Sequence, residues 1–267
     1  MTFTSYIDQV RAERPLVHHI TNYVTVNDCA NACLAIGASP VMADAVDEAE
    51  SMVSIAQSLV LNIGTLNVTK VEAMMVAGRK ANALGIPVVF DPVGVGATPF
   101  RNRMAAELMR QIRMAVGRGN ISEICCRGGD AVRTKGVDAG QADAKVAEEV
   151  ASMLAKKWQA TVVISGKTDI ITDGKRVMHI RNGCPEMSDI TGSGCMCTTL
   201  VGAFVGAHPE DPFGASAAAM LSMGIAGERA WRSYGHQGLG RFHMGILDEL
   251  GSMSASVMEA EGKYDIL

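Results

Sequence analysis

The sequence predicts an α/β protein: a mostly parallel sheet covered by helices on both faces. Three observations predict it. Short apolar runs alternate with longer helix-like stretches from residue 15 to residue 180, the order that builds parallel sheets from crossover units. Several of those runs end in a glycine, a serine or an acidic residue, as buried strands do where they open into loops. Late in the chain, Thr191-Gly192-Ser193-Gly194-Cys195 leads into an uncharged run without proline, which reads as a tight turn opening a buried helix. No repeat, low-complexity linker or shift in composition divides the chain, so residues 1–267 are expected to form one domain.

Residues 1–15 read as a short helix that Pro15 ends. Leu16 to Ile20 then forms a strand or strand end, followed by a polar loop carrying Asn22 and a helix from Val26 to Ile36 that Gly37 stops. His18 and His19 are either ligand contacts at the strand end or a structural pair, one facing inward and one outward. Ser39 to Ala43 is a short apolar segment, and Asp44, Asp47, Glu48 and Glu50 suit the first turn of another helix. Ser58 to Gly64 reads as a buried parallel strand. Asn67 or Thr69 caps the next helix, with Thr69 and Glu72 at capping-box spacing and Gly85 closing it. Ile86 to Phe90 is the next strand and delivers Asp91 to a glycine loop at 94–98; a helix follows at 99–114. Asp143 to Trp158 is amphipathic, Thr161 to Ile164 is a strand leading into Ser165-Gly166, and residues 170–180 read as a hairpin turning at Asp173-Gly174.

Composition narrows the function. With 48% hydrophobic and 19% charged residues the chain can bury a sizeable core. A net charge of −4 offers no polycationic surface, which excludes nucleic acid as the expected partner. Seven cysteines without Cys-x-x-Cys spacing argue against a disulfide framework or a structural zinc site and point to a reducing, cytoplasmic setting. No basic segment followed by an apolar stretch opens the chain, so no signal peptide is expected. The uncharged run Ile190 to Ala207 approaches membrane-spanning length, but its four glycines and three threonines favour a buried helix, and no membrane is expected.

The turn at 191–195 carries the most chemistry. Its glycines allow positive φ and keep side chains away from a ligand. A helix starting there aims unpaired N–H groups, and the positive end of its dipole, at whatever lies over the turn. Such an anion hole suits a phosphoryl group in transfer. Asp91, where a buried strand meets a glycine loop, is placed to hold a metal or a substrate hydroxyl, or to cap the loop. In a parallel sheet ligands collect at the C-terminal strand ends, where Gly64, Asp91, Ser165 and the 191–195 turn all fall. Two nucleotide motifs are near misses. Ser165-Gly166-Lys167-Thr168 matches the end of a P-loop, but Thr161 stands where its first glycine belongs. Gly94-Val95-Gly96 lacks the third glycine of a dinucleotide fingerprint, because Pro99 takes that place.

Several stretches together resemble the ribokinase-like superfamily and, within it, the hydroxyethylthiazole kinase family. Thr191-Gly192-Ser193-Gly194-Cys195 is similar to the superfamily's glycine-rich signature, and Asn120-Ile121-Ser122-Glu123 to its Asn-x-x-Glu motif. Closer to the thiazole kinases are His19-Ile20-Thr21-Asn22 with Asn27, Asp91 to Thr98, Arg118-Gly119-Asn120, and Gly238 to Phe242. The resemblance implies a ribokinase-like three-layer sandwich, with ATP as co-substrate and Mg2+ as cofactor. It implies that Arg118, Ser165 and Asn120 contact ATP, that Met42, Gly192 and Asn22 contact the thiazole alcohol, and that Asp91 and Glu123 serve the metal. Gly192, Ser193 and Gly194 would form the catalytic anion hole with Cys195. It also implies a homotrimer with active sites between subunits, Met42 and Gly192 of one site coming from different chains.

Two positions depart from the wider pattern. Most of the superfamily ends the signature in an aspartate that acts as base, whereas this chain has Cys195, as the thiazole kinases do. A thiol at a helix N-terminus can have a lowered pKa and accept a proton, or it can only shape the pocket. Ser165 stands where threonine is more usual, which keeps the hydroxyl. A hydroxymethylpyrimidine kinase or an ATP-dependent hydrate dehydratase on the same fold would keep the aspartate. A non-catalytic nucleotide or thiazole sensor would not need Asp91, Asn120, Glu123 and both glycines together.

Overall fold

The computed structural model describes residues 2–128 and 144–267; Asp143, the expected start of the amphipathic stretch, lies outside them. Nine strands form one sheet in the order β2-β1-β3-β4-β5-β6-β7-β8-β9. The strands β1 (Leu16–Ile20), β2 (Ser39–Met42), β3 (Ser58–Asn62), β4 (Val88–Asp91), β5 (Val116–Asn120) and β6 (Thr161–Ser165) pair in parallel. The last three, β7 (Asp169–Thr172), β8 (Val177–Ile180) and β9 (Tyr264–Ile266), are antiparallel. Chain order reverses at β1, between β2 and β3, which opens a crevice at the C-terminal ends of β1 and β3.

Period-two alternation divides the strands between two helix layers. Val17, Val60, Val89, Val116 and Val163 face a core shared with α8 (Ser193–Ala207) and α9 (Pro212–Tyr234). Leu59, Leu61, Val88 and Phe90 face the other way, toward α4 (Val68–Leu84) and α5 (Pro99–Gln111). Further along that second face, Val162, Ile164 and Ile170 pack with α6 (Ile121–Gly128) and α7 (Ala144–Trp158). The expected three-layer sandwich with a mostly parallel sheet is therefore observed. The first layer also holds α1 (Tyr6–Glu13) and α2 (Val26–Ile36), followed later in the chain by α10 (Leu239–Ser252) and α11 (Ala255–Glu261). The second also takes α3 (Val46–Ser54). Among the described residues no helix is long and apolar enough to cross a membrane.

Two local expectations need correction. The cap of α4 is Asn67, whose Oδ1 accepts the Lys70 N–H at 2.7 Å; Thr69 is the second helical residue, so Thr69 and Glu72 form no capping box. His18 and His19 are both buried, at 0% and 1% exposure, because β1 is a central strand covered on both faces. His18 Nε2 hydrogen-bonds the Ala43 carbonyl at 2.7 Å, and burial holds His19 at a pKa of about 4, so it stays neutral. At the C-terminus, Tyr264–Ile266, for which no element was expected, pairs with the open edge of β8 as a three-residue strand.

Candidate active site

The C-terminal ends of five strands, β1, β3, β4, β5 and β6, and one helix start converge at the crevice. Helix α8 begins after Gly192, which takes φ 92°, a region open chiefly to glycine. A Cβ at 192 would also lie 3.0 Å from Thr25 Cγ2, so the turn packs directly on the 22–25 loop. The first helical bond runs from the Met196 N–H to the Gly192 carbonyl at 2.8 Å. The N–H groups of Ser193, Gly194 and Cys195 therefore have no acceptor within the helix. An anion placed over this turn would meet three donors and the positive helix end.

On one side of the turn lies a cleft of 530 Å³ lined by Arg118, Ser165, Lys167, Asp169, Ser193 and Gly194, with Met187, Met220 and Met223 at its apolar part. Arg118 is 7% exposed and ties two elements together. Its Nη1 donates to the Gly194 carbonyl at 3.0 Å and its Nη2 to Ser165 Oγ at 2.8 Å. The structure thus joins Arg118, Ser165 and Gly194 in one place. Asp169, which sequence reasoning missed, accepts the Gly166 N–H at 3.0 Å in the same cleft.

On the other side lies a polar cluster whose hydrogen bonds have one direction. The Gly64 N–H donates to Asn62 Oδ1 at 2.9 Å, and the Thr25 N–H donates to Asn22 Oδ1 at 3.1 Å. Backbone N–H groups can only donate, so both amide nitrogens must face inward. Asn22 Nδ2 and Asn62 Nδ2 each donate to Cys195 Sγ at 3.2 Å. Asn62 Nδ2 also reaches Asp91 Oδ2 at 3.1 Å, and the Thr198 hydroxyl donates to the same oxygen at 2.6 Å. Asn62 is the second residue that sequence reasoning missed. The available signal was an amide inside the apolar run Leu59 to Ile63, directly opposite Asp91 in the β3–β4 register.

Burial, followed by the nearby Asp91 charge, pushes the Cys195 thiol up, against the opposing hydrogen bonds of Thr25, Asn22 and Asn62. The thiol is therefore protonated at neutral pH, contrary to the lowered pKa that a helix N-terminus alone would give. With two N–H donors on its sulfur, it has little acceptor capacity left for an alcohol proton. Burial pushes Asp91 up to about 6, partly offset by the Arg118 cation and the Thr198 hydroxyl.

Glu123 and Asn120 have a structural role besides any binding role. The Asn120 N–H donates to Glu123 Oε2 and the Glu123 N–H donates to Asn120 Oδ1, both at 2.9 Å, a reciprocal cap on α6. Glu123 Oε1 accepts the Gly94 N–H at 3.0 Å, which fastens the loop after Asp91 to the first turn of α6. Buried Asp91 Oδ1 has no hydrogen-bond partner among the described residues, and no cluster of three or more metal-ligand side chains occurs among them. One orphaned carboxylate oxygen beside a second carboxylate fits Mg2+, which takes one or two carboxylates and completes its shell with phosphate oxygens and water. Met42 ends the edge strand β2 opposite His19, at the mouth of the crevice that carries Asn22.

Asp169 gives a pH test of the cleft. Burial raises its pKa from 3.8 to about 6. Its folded-state pKa lies above the unfolded one, so the carboxyl favours folding below the unfolded value, and that contribution disappears as pH rises through the folded value. Asn keeps the oxygen that caps Gly166 but carries no charge. The melting temperature of Asp169→Asn relative to the natural protein is expected to rise between the two pKa values of 3.8 and about 6 and stay level above them. A difference independent of pH in differential scanning calorimetry would contradict this.

The chain is similar to known proteins over nearly its whole length. The model of the hydroxyethylthiazole kinase family matches residues 7–256. The chain is 49% identical over 263 residues to a hydroxyethylthiazole kinase of Clostridium beijerinckii, covering 97% of this chain and 95% of that one. It is 48% identical to the Ruminiclostridium cellulolyticum hydroxyethylthiazole kinase, covering 98% and 96%. The solved structure of a hydroxyethylthiazole kinase from Pyrococcus horikoshii superposes with a TM-score of 0.90 at 36% identity, covering 99% and 98% of the two chains. A ribokinase-like superfamily protein from Enterococcus faecalis, at 12% identity and a TM-score of 0.64 over 94% and 90% of the chains, shares the fold.

Proposed function

Because the chain belongs to the hydroxyethylthiazole kinase family and is a kinase, we propose that it transfers the γ-phosphoryl group of ATP to the primary hydroxyl of 4-methyl-5-(2-hydroxyethyl)thiazole in thiamine salvage. The observation that carries this reading is the position of the α8 N-terminus between two compartments. The cleft with Arg118 and Ser165 lies on one side and the Asn22, Asn62 and Cys195 cluster on the other. A phosphoryl group passing between them would lie over the N–H groups of Ser193, Gly194 and Cys195.

Phosphoryl transfer asks the protein mainly for position and charge. Arg118 and Lys167 meet the nucleotide phosphates, and Met187, Met220 and Met223 receive the base through apolar contact. The α8 N-terminus takes the charge that develops on the transferred group. Asn22 and Met42 line the acceptor side with Gly192. Asp91 and Glu123 would hold Mg2+, which when bound would supply positive charge to the nucleotide phosphates. Asn120 orders Glu123 and the loop beside the nucleotide.

Cys195 shapes the acceptor pocket and leaves the proton to depart late in a loose transition state. Cys195→Ser is expected to lower kcat less than about tenfold and to leave the acid limb of the pH-rate profile in place, whereas loss of a general base costs about 100-fold or more. Tyr23 and Val24, the two residues after Asn22, are exposed at 63% and 65%, apolar surface that a second chain of a homotrimer would cover.

The deciding experiment incubates the protein with ATP, Mg2+ and the thiazole alcohol, with hydroxymethylpyrimidine in parallel, and identifies products by mass spectrometry. Thiazole phosphate alone is expected. Product only from the pyrimidine would overturn the acceptor assignment, and bound ATP without either product would make the protein a binder.

A further inference from the structure

Lys70 is one of the largest fully buried side chains of the protein, at 2% exposure. It stands in the first turn of α4, where the helix dipole opposes a cation. A methionine or leucine of similar volume would fill that space without desolvating a charge. The ammonium therefore does not serve the helix it sits on. Its partners all belong to the acceptor side. Nζ donates to the Thr21 carbonyl at 2.7 Å, lies 3.6 Å from Asp44 Oδ2, and stands 3.6 Å from the centroid of the Tyr23 ring. Thr21 and Tyr23 flank Asn22, and Asp44 lies two residues beyond Met42. One buried cation thus fastens both segments that carry the acceptor residues, using a carbonyl, a carboxylate and an aromatic face.

We infer that Lys70 is a positioning residue for the alcohol acceptor: its ammonium fixes the 21–23 loop and the 42–44 segment relative to each other and so sets the shape of the acceptor pocket. This rests on the acceptor assignment above. It separates Lys70 from the nucleotide cleft, whose lining residues come from other elements. An ordinary buried structural residue would, when replaced, lower stability and disturb both substrates together. A residue that holds only the acceptor segments moves the two substrates apart.

The test compares Lys70→Met, Asp44→Asn, Tyr23→Leu and Lys70→Arg with the natural protein. Steady-state KM is measured for each substrate, and acceptor affinity is measured by calorimetry. Lys70→Met is expected to raise the acceptor KM about tenfold or more while the ATP KM stays within about twofold. Asp44 and Tyr23 are substantially exposed within the single chain, so their replacement leaves its folding intact even if Lys70→Met does not fold, and sedimentation velocity checks that Tyr23→Leu keeps the assembly of the natural protein. Both are expected to raise the acceptor KM in the same direction by about threefold. Lys70→Arg, which keeps the charge but not the reach, should recover part of the loss. Equal rises in both KM values, or unchanged acceptor KM in Asp44→Asn and Tyr23→Leu, would overturn the inference. If the natural protein makes no thiazole phosphate, the acceptor assignment fails instead. The calorimetric affinities of the same variants for whichever of the thiazole alcohol and hydroxymethylpyrimidine the natural protein binds still decide whether Lys70 shapes the pocket.

Discussion

Gly194→Val is expected to cut turnover by about 100- to 1000-fold, the usual cost of losing a donor that meets charge in the transition state. Unlike Gly192, Gly194 has no positive φ, so its backbone would accept a side chain. The obstacle is what that side chain would meet. A Cβ at 194 lies 3.0 Å from Arg118 Nη1, the atom that donates to the carbonyl of the same residue. A branched side chain would push the guanidinium away and cover the N–H groups of the turn. Nucleotide affinity is expected to fall less than kcat, because Ser165, Lys167 and the apolar part of the cleft remain. The check is kcat from steady-state kinetics set beside the ATP dissociation constant. Normal turnover in a folded Gly194→Val protein would remove the α8 N-terminus from the mechanism.

Arg118→Met should be the most damaging single substitution to stability and should also abolish activity. The methionine fills much of the space but leaves Asp91, fully buried, without its cation 3.8 Å away. It also leaves Asp169 without the same opposing charge. Breaking a buried pair by removing one partner costs about 3–5 kcal/mol, which for a chain of this size lowers the melting temperature by roughly 6–20 °C. The sign of the pH dependence follows from Asp91, whose pKa of about 6 would rise further without the cation. Protonation removes the unpaired charge, so the deficit of the variant should shrink as pH falls below that value and grow as pH rises above it. A deficit that stays constant with pH would mean that Arg118 contributes packing alone. Adding Asp91→Asn to the variant should recover part of the stability and none of the activity.

The fold was legible because its signals are local. Runs such as Ser58 to Gly64 and Ile86 to Phe90 are too short and too β-branched for helices, and glycines close the helices between them, so those strands and crossovers could be placed; β5, whose Val116-Gly117-Arg118-Gly119-Asn120 has no apolar run, was not. The 191–195 turn was equally plain, since two glycines before an uncharged run leave few alternatives to a helix start. What failed was information carried by neighbours. His18 and His19 looked like an inward and an outward pair, but a central strand has no outward face. The Tyr264–Ile266 strand exists because of the edge it meets.

The candidate site divides along the same line. Asp91, Ser165 and the glycine turn stood out as residues, and their convergence followed from the rule that strand C-termini share one edge; Arg118 came only from the family resemblance. Asn62 and Lys70 did not stand out. An amide in a strand and a lysine in a helix are ordinary in sequence, and their meaning appears only when the partners come from elsewhere in the chain. Cys195 shows the physical reason most clearly. Its position at a helix start left two readings open, a thiol with a pKa lowered by the local dipole or one that only shapes the pocket. Burial and the Asp91 charge, which come from the packed sheet, push the thiol the other way. The amino-acid sequence by itself determined the α/β class, the order of its elements and the glycine turn, because those depend on residues near one another in the chain. The tertiary structure alone decided protonation, hydrogen-bond direction and the role of Lys70, because charge and desolvation act through space.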